Sequence, residues 1–280
     1  GFYLKFADNS SNAALGTDSS GNSNTWTVNN INAGPVTTNN SWSGYFSGNN
    51  NYITTPSSSQ FGMGTGDWTV EGWFLTTKAN VFNIAWHVGT INAVNGMAGT
   101  VAIDKVDFRS NGQTDIGSAI SSSSAFRHIA WVKSSNTVTI YVNGSSVVSG
   151  TYTNSIAAGV FTIGYNFNNY NFVGYISNFR VLKGTALYTS NFTPPSSTLT
   201  AITNTSLLTL QDSTFIDNST NTFTLSATGA AVNYISPFEE SVDTDSFIDT
   251  PTNYTASPNN GGNYATWNPL DNSNKTLTNG

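Results

Sequence analysis

The chain has 280 residues, 38% of them hydrophobic and only 9% charged, with a net charge of −6 at pH 7 and no cysteine. Nine Lys/Arg against fifteen Asp/Glu argue against a nucleic-acid footprint, and the missing cysteines exclude disulfides and thiolate metal sites. The strongest apolar runs, such as Val81–Val88, fall far short of the roughly 20 residues that a membrane span needs.

Neutral Ser, Thr and Asn take the place of charged residues, which favours strands, turns and loops over helix interiors. No charged-then-apolar leader pattern opens the chain, and Gly1 in place of Met suggests a mature product or an excised fragment. Gly1–Asn32 reads as strand, polar turn, strand, with Phe2–Phe6 and Thr25–Val28 extended. Trp68–Leu75 carries apolar residues on both faces, as an inner sandwich strand does. Val81–Val88, Ala98–Arg109 and Phe126–Lys133 follow as strands. Thr137–Val142 puts Val138, Ile140 and Val142 on one face. Asn143-Gly144 then supplies the two positive-φ positions of a type I′ turn, and Ser145–Ser149 returns. Phe161–Tyr165 and Phe172–Val181 are further strands, and no stretch sustains a 3.6-residue period.

A short echo links the two ends of this region. An apolar strand, Leu207–Leu210, leads to Asp212, to Asp217-Asn218-Ser219 in a polar loop, and to Asn221-Thr222-Phe223-Thr224-Leu225. Phe2–Phe6, Asp8, Asp18 and Asn24-Thr25-Trp26-Thr27-Val28 follow the same order, as two equivalent hairpins or two successive modules would. Beyond Phe238 the composition shifts. The expected organisation is a strand-loop-strand segment or module junction over 1–40, a main domain over 41–238, an acidic Pro/Gly linker over 239–262, and the start of a truncated module over 263–280.

Four blocks in order resemble a laminin-G-like, concanavalin A-type jelly roll over roughly Ser41–Phe238. They are Tyr45–Ile53, Phe61–Phe74, Phe126–Trp131 with Ile140–Gly144, and Phe172–Val181. The resemblance implies an all-β, two-sheet antiparallel jelly-roll sandwich with short flanking β segments. Gly184–Pro195 and Leu208–Ser219 look like the tail of such domains in virion proteins of tailed phages, and Gly1–Ile31 and Asp249–Leu270 resemble module junctions in phage fibre-like proteins.

The chemistry-bearing residues are few. His128 and His87 both lie in strand patterns and read as packed, hydrogen-bonded side chains. With no Gly-x-Ser-x-Gly elbow, a Ser-His-Asp hydrolase is not indicated. β-Glucanases that share the resembled fold set their acids as Glu-x-Asp-x-x-Glu or close variants; here Glu71 stands alone, and Asp104 and Asp107 fall on opposite faces of a regular strand. Calcium is the cofactor that the loops could hold, through Asp8, Asp18 and Asn22 or through Asp212 and Asp217, although ordinary turn chemistry accounts for the same residues. Sugar stacking would use Tyr165, Asn166, Asn168, Asn169 and Tyr170 in one loop, and Trp42 elsewhere.

The expected function is a non-enzymatic structural or adhesive module of a phage virion fibre or surface appendage. Its partners would be host-surface glycans or other virion proteins, without nucleic acid or membrane insertion, and a homo-oligomer is compatible with this role. The expected location is extracellular, on a virion or alternatively on a bacterial surface. A calcium-dependent lectin domain and a polysaccharide depolymerase are the alternatives.

Overall fold

The structure is a computed structural model that describes residues 3, 17–22, 24, 26, 42–48, 50–79, 83–89, 95–110, 116–164 and 171–238. The chain divides into Gly1–Phe238 and Glu239–Gly280, and all described residues lie in the first unit. The expected linker and following module, and most of the 1–40 segment, therefore fall outside the described residues.

Among the described residues the chain is β throughout, with a single 3-10 turn at Ser59–Phe61. The first strands are β1 (Ser43–Ser47), β2 (Tyr52–Thr54), β3 (Trp68–Leu75), β4 (Ile84–Val88) and β5 (Met97–Val101). Next come β6 (Lys105–Arg109), β7 (Ile116–Ala119), β8 (Arg127–Ser134), β9 (Thr137–Val142) and β10 (Ser145–Thr151). The last are β11 (Phe161–Ile163), β12 (Val173–Lys183), β13 (Thr205–Thr209), β14 (Ser226–Thr228) and β15 (Ala231–Asn233). Two antiparallel sheets form the sandwich. The first runs β10-β9-β8-β3-β12-β1-β15, with β13 also on β12; the second runs β14-β2-β11-β4-β5-β6-β7.

Alternation explains the core. Trp68, Val70 and Phe74 of β3 point inward, as do Ile129 and Trp131 of β8, and all five are fully buried. Trp86 of the second sheet meets Trp131 of the first edge to face at 5.4 Å, and Phe74 meets Trp131 at 5.6 Å. Gly99 makes room for this: a Cβ there would stand 2.2 Å from Trp86 Nε1. Trp131 Nε1 donates to the Asp107 carbonyl at 3.0 Å, tying the sheets together with a hydrogen bond.

Sequence and structure agree on Trp68–Leu75 and Thr137–Val142, and the Asn143-Gly144 turn has φ of 48° and 78°. Ala98–Arg109 is not one strand. It folds into β5 and β6, because the Ala102 amide donates to the Lys105 carbonyl at 2.8 Å and closes a turn. Asp104 sits in that turn, so the strand-parity argument about Asp104 and Asp107 does not apply. Strand β11 stops at Ile163 because Gly164 turns the chain at a φ of 83°. Asn221–Leu225 is not extended into a strand; β14 begins at Ser226.

The outer face of the first sheet is covered. Ala130, Val132 and Tyr141 lie under Ala186, Tyr188 and Phe192 of the segment that follows β12. Leu187 N donates to Thr69 Oγ1 at 2.9 Å, Phe192 N to the Gly144 carbonyl at 2.9 Å, and Asn191 Oδ1 accepts from Ser146 N at 2.9 Å. The Gly184–Pro195 motif is thus a strap that seals this sheet.

Candidate functional site

The strap closes over a buried polar cluster. Glu71 points outward from β3 yet is fully buried. Its Oε1 accepts from Arg180 Nε at 2.8 Å and from an Arg180 terminal nitrogen at 2.6 Å. Its Oε2 accepts from His128 Nε2 at 3.0 Å and from the Tyr188 hydroxyl at 2.8 Å. An ionised carboxylate only accepts, so Nε2 of His128 carries the proton. Burial pushes the Glu71 carboxyl up, but the His128 hydrogen bond and the Arg180 charge outweigh it and hold the group below its ordinary value. Burial, helped by the Glu71 charge, drives the Tyr188 phenol up. With four donors on one buried carboxylate, this cluster is a structural clasp and offers no group to a substrate. His128 is therefore packed and hydrogen-bonded, as its strand position suggested.

His87 lies on the outer side of the second sheet, opposite Thr162, with Nδ1 3.3 Å from the Gly89 carbonyl. Burial lowers its pKa from 6.5 to about 4.

The calcium candidates lie in two separate turns. Asp18 Oδ1 accepts from Tyr3 N and Ser20 N at 2.9 and 2.8 Å. Its Oδ2 accepts from Ser20 Oγ, Asn24 N and Asn24 Nδ2 at 2.8, 3.1 and 2.8 Å. The Tyr3 amide foremost, then Ser20 and Asn24, hold the Asp18 carboxyl well below the usual carboxylate range. Asn22 donates through N and Nδ2 to Ser20 Oγ at 3.3 and 3.1 Å. Asp217 accepts from Leu208 N, Ser219 N, Ser219 Oγ and Phe223 N at 2.9–3.1 Å. Asp212 accepts from Asn218 Nδ2 at 2.5 Å. Among the described residues no three His, Cys, Asp or Glu side chains cluster as metal ligands. A cation at Asp18 or Asp217 would have to displace hydrogen bonds that hold the turn, so both residues act as turn anchors. Asp8 lies outside the described residues, as do Tyr165, Asn166, Asn168, Asn169 and Tyr170.

Trp42 is the stacking candidate that the structure describes. The β1–β15 ladder pairs Ser43 with Asn233, and one step beyond it Trp42 and Tyr234 bring their rings to 4.6 Å. Tyr234 is 76% exposed while Trp42 is half-buried, so the pair forms an aromatic ledge with one partner anchored and the other open to solvent. The Trp42 carbonyl is held by Ser177 Oγ at 2.5 Å. A second ring pair, Tyr45 and Tyr175, lies across the β1–β12 ladder at 4.9 Å. The sequence alone missed Tyr234, because its neighbour Trp42 lies nearly 200 residues away and the link is made by strand pairing.

A cleft of about 710 Å³ opens at the end of β12, lined by Gln60, Lys183, Thr203, Asn204, Thr220 and Asn221 among others. Lys183 Nζ donates to the Ser59 carbonyl at 2.9 Å, Asn204 Nδ2 to Thr185 Oγ1 at 2.8 Å, and Asn221 Nδ2 to the Ser206 carbonyl at 3.0 Å. Its lining holds amides, hydroxyls and one ammonium, with neither a carboxylate nor a histidine.

Residues 47–189, just over half of the chain, match the concanavalin A-like lectin/glucanases superfamily, and the chain belongs to it. No curated protein matches the chain. Many solved structures are similar in fold, three of them as follows. The native heptameric SAP-like pentraxin from Limulus polyphemus is 15% identical with a TM-score of 0.48, covering 71% of this chain and 97% of that one. Mouse laminin α1 chain domains LG4-5 are 13% identical with a TM-score of 0.41, covering 55% and 47%. The CBM40 of Ruminococcus gnavus IT-sialidase, solved bound to α2,3 sialyllactose, is 13% identical with a TM-score of 0.39, covering 45% and 80%.

Proposed function

We propose that the protein is a non-enzymatic carbohydrate-contacting module, displayed on a phage virion fibre or surface appendage. The observation that carries the reading is the Trp42–Tyr234 ledge. The apolar face of a sugar ring rests on an exposed aromatic ring, while neighbouring amides and hydroxyls meet its hydroxyl groups. Single contacts of this kind are weak, and a displayed array makes them effective through multivalency. The family includes glucanases, whose chemistry needs two acids across the scissile bond. Glu71, the sole glutamate among the described residues, is committed to the clasp. The virion placement, and with it an extracellular location, rests on the resemblance of Gly184–Pro195 and Leu208–Ser219 to virion proteins of tailed phages.

Glycan-array binding by the wild type, by Trp42→Ala/Tyr234→Ala and by Lys183→Ala tests the reading. The double change should weaken retained glycans by about tenfold or more, corresponding to about 1.4 kcal/mol. Lys183→Ala and EDTA should leave binding unchanged. Retention unaffected by the double change removes the ledge as the site, and EDTA sensitivity would restore the calcium-dependent reading. Immunogold labelling of particles tests the placement.

A further inference from the structure

Strand β8 carries a cationic side chain at each end of its inward face. Arg127 lies in register with Phe74, and Lys133 between Trp68 and Val138, so both share the side of the core residues Ile129 and Trp131. Arg127 is 4% exposed and Lys133 is fully buried. Such residues are almost never buried unless they are paired. Here the partners are backbone carbonyls. Arg127 spreads its bonds over two nitrogens: Nη1 donates to the Ile103 and Ser121 carbonyls at 2.9 and 3.1 Å, and Nη2 to the Ala102 carbonyl at 2.9 Å. Lys133 gathers its bonds on one atom. Its Nζ donates to the Thr65 carbonyl at 2.6 Å, to the Gly66 carbonyl at 3.2 Å and to the Ser135 carbonyl. An ammonium has three protons, so this cage satisfies it completely.

Two chain segments converge to build the cage. Thr65 and Gly66 precede β3, and Ser135 opens the β8–β9 turn with a φ of 53°, in the left-handed region that favours glycine. Asp67 ties the segments together, its Oδ1 accepting from Ser135 N at 2.7 Å. Among the described residues no carboxylate bonds Nζ itself. Burial pushes the Lys133 pKa down, and the nearby Asp67 charge opposes it. Thr65, Gly66 and Ser135 are exposed, so the cage lies just beneath the surface.

Oxygens that converge on one charge are also what replaces the water shell of a metal ion. The spacing of 2.6 and 3.2 Å is too wide for magnesium, which demands about 2.0–2.1 Å, and reaches beyond the range of about 2.3–2.6 Å for calcium. Potassium has the single charge of ammonium and nearly its radius. We propose that the Thr65, Gly66 and Ser135 carbonyls form a monovalent-cation site that the chain fills with its own ammonium, and that the site takes up potassium when Lys133 is shortened. Lys133 is thus a tethered cation, which holds the loop before β3 to the β8–β9 turn without a metal.

The test is urea unfolding of the full chain, with potassium chloride exchanged for tetramethylammonium chloride at constant total salt. Lys133→Ala removes the ammonium and opens room for an ion. It should be less stable than the wild type in tetramethylammonium and recover in potassium. With one ion per folded chain, the folded-to-unfolded ratio should rise about tenfold for each tenfold increase in potassium above the dissociation constant. The wild type, and Lys133→Met, whose side chain still fills the space, should not respond. If Lys133→Ala is unfolded without potassium, its refolding on adding potassium reads the same linkage by tryptophan fluorescence. A Lys133→Ala chain indifferent to potassium, or unfolded at every potassium concentration, overturns the proposal. So does an equal potassium response in the wild type or in Lys133→Met, which would place the ion elsewhere.

Discussion

Glu71→Gln changes one atom type in the clasp beneath the strap, and its cost can be worked from the geometry. The substitution removes the counter-charge of Arg180, which is 5% exposed and otherwise bonded to the Thr200 carbonyl at 2.8 Å. Its amide nitrogen must also stand either at the Oε2 position, facing both the His128 N–H and the Tyr188 hydroxyl, or at the Oε1 position, facing the Arg180 N–H donors. Breaking a buried ion pair by removing one partner costs about 3–5 kcal/mol. The shape is kept and one acceptor survives, so about 3 kcal/mol is expected, or a Tm lower by roughly 6–12 °C for a domain of this size. Urea unfolding followed by tryptophan fluorescence reads this as a lower midpoint at unchanged slope. The effect must depend on pH. Glu71's carboxyl is depressed in the folded state, so its stabilisation is complete above the ordinary value of 4.5 and is lost as pH falls below it. The gap between wild type and Glu71→Gln should therefore shrink at about pH 3, whereas Tyr188→Phe, which removes one hydroxyl, should cost only about 1 kcal/mol. A loss below about 1 kcal/mol at pH 7, or an undiminished gap in acid, would refute the clasp.

A second titration lies higher. His87 stays neutral in the folded state down to about 4 but protonates at about 6.5 once unfolded, so it costs the native state stability as pH falls through that window. His87→Asn should flatten the stability-versus-pH curve between those two values while leaving the Glu71 slope below them, as equilibrium unfolding at a series of pH values would show. Gly144→Ala should destabilise by about 2–4 kcal/mol in the same assay, since the residue sits at a φ of 78° and a Cβ would stand 1.8 Å from the Phe192 carbonyl oxygen of the strap. If its cost were no more than that of a surface substitution, the strap would not be docked on the β9–β10 turn.

The sheets were legible wherever local chemistry decides the outcome. Thr137–Val142 alternates, Asn143-Gly144 turns, and Trp68–Leu75 carries apolar residues on both faces because the second sheet covers one face and the strap covers the other. Such patterns need no knowledge of distant residues. The clasp was not legible. Glu71 looked isolated because its partners lie 57, 109 and 117 residues away, brought together only by the β3–β8 and β3–β12 pairings and by the strap. The Gly184–Pro195 motif was noticed for its family resemblance, while its physical role, Tyr188 on Glu71 and Phe192 on the Asn143-Gly144 turn, emerges from packing. The aspartate loops offer oxygens in the sequence, but the sequence could not show that backbone amides and hydroxyls already bond to Asp18 and Asp217. The break within Ala98–Arg109 escaped notice because Ile103-Asp104 carries no glycine or proline to mark the turn.

The use of charge in this domain bears on what it could grip. Glu71 holds Arg180, Asp107 holds Lys105 at 3.1 Å and Thr100 at 3.2 Å, Asp67 holds the Ser135 amide at 2.7 Å, and Asp18 and Asp217 hold turns. The scarce charges are invested in the fold, and the proposed contact surface is left to rings, amides and hydroxyls. Attraction built from stacking and neutral hydrogen bonds is barely screened, whereas charge pairing weakens as the screening length falls from about 10 Å at 0.1 M salt to about 3 Å at 1 M. Glycan affinity at the Trp42–Tyr234 ledge should therefore change less than about threefold across that range, measured by titration calorimetry with a retained glycan. A fall of tenfold or more would mean that binding runs through charge, and would move the site from the ledge to the Lys183 cleft, the one described candidate that offers a cation.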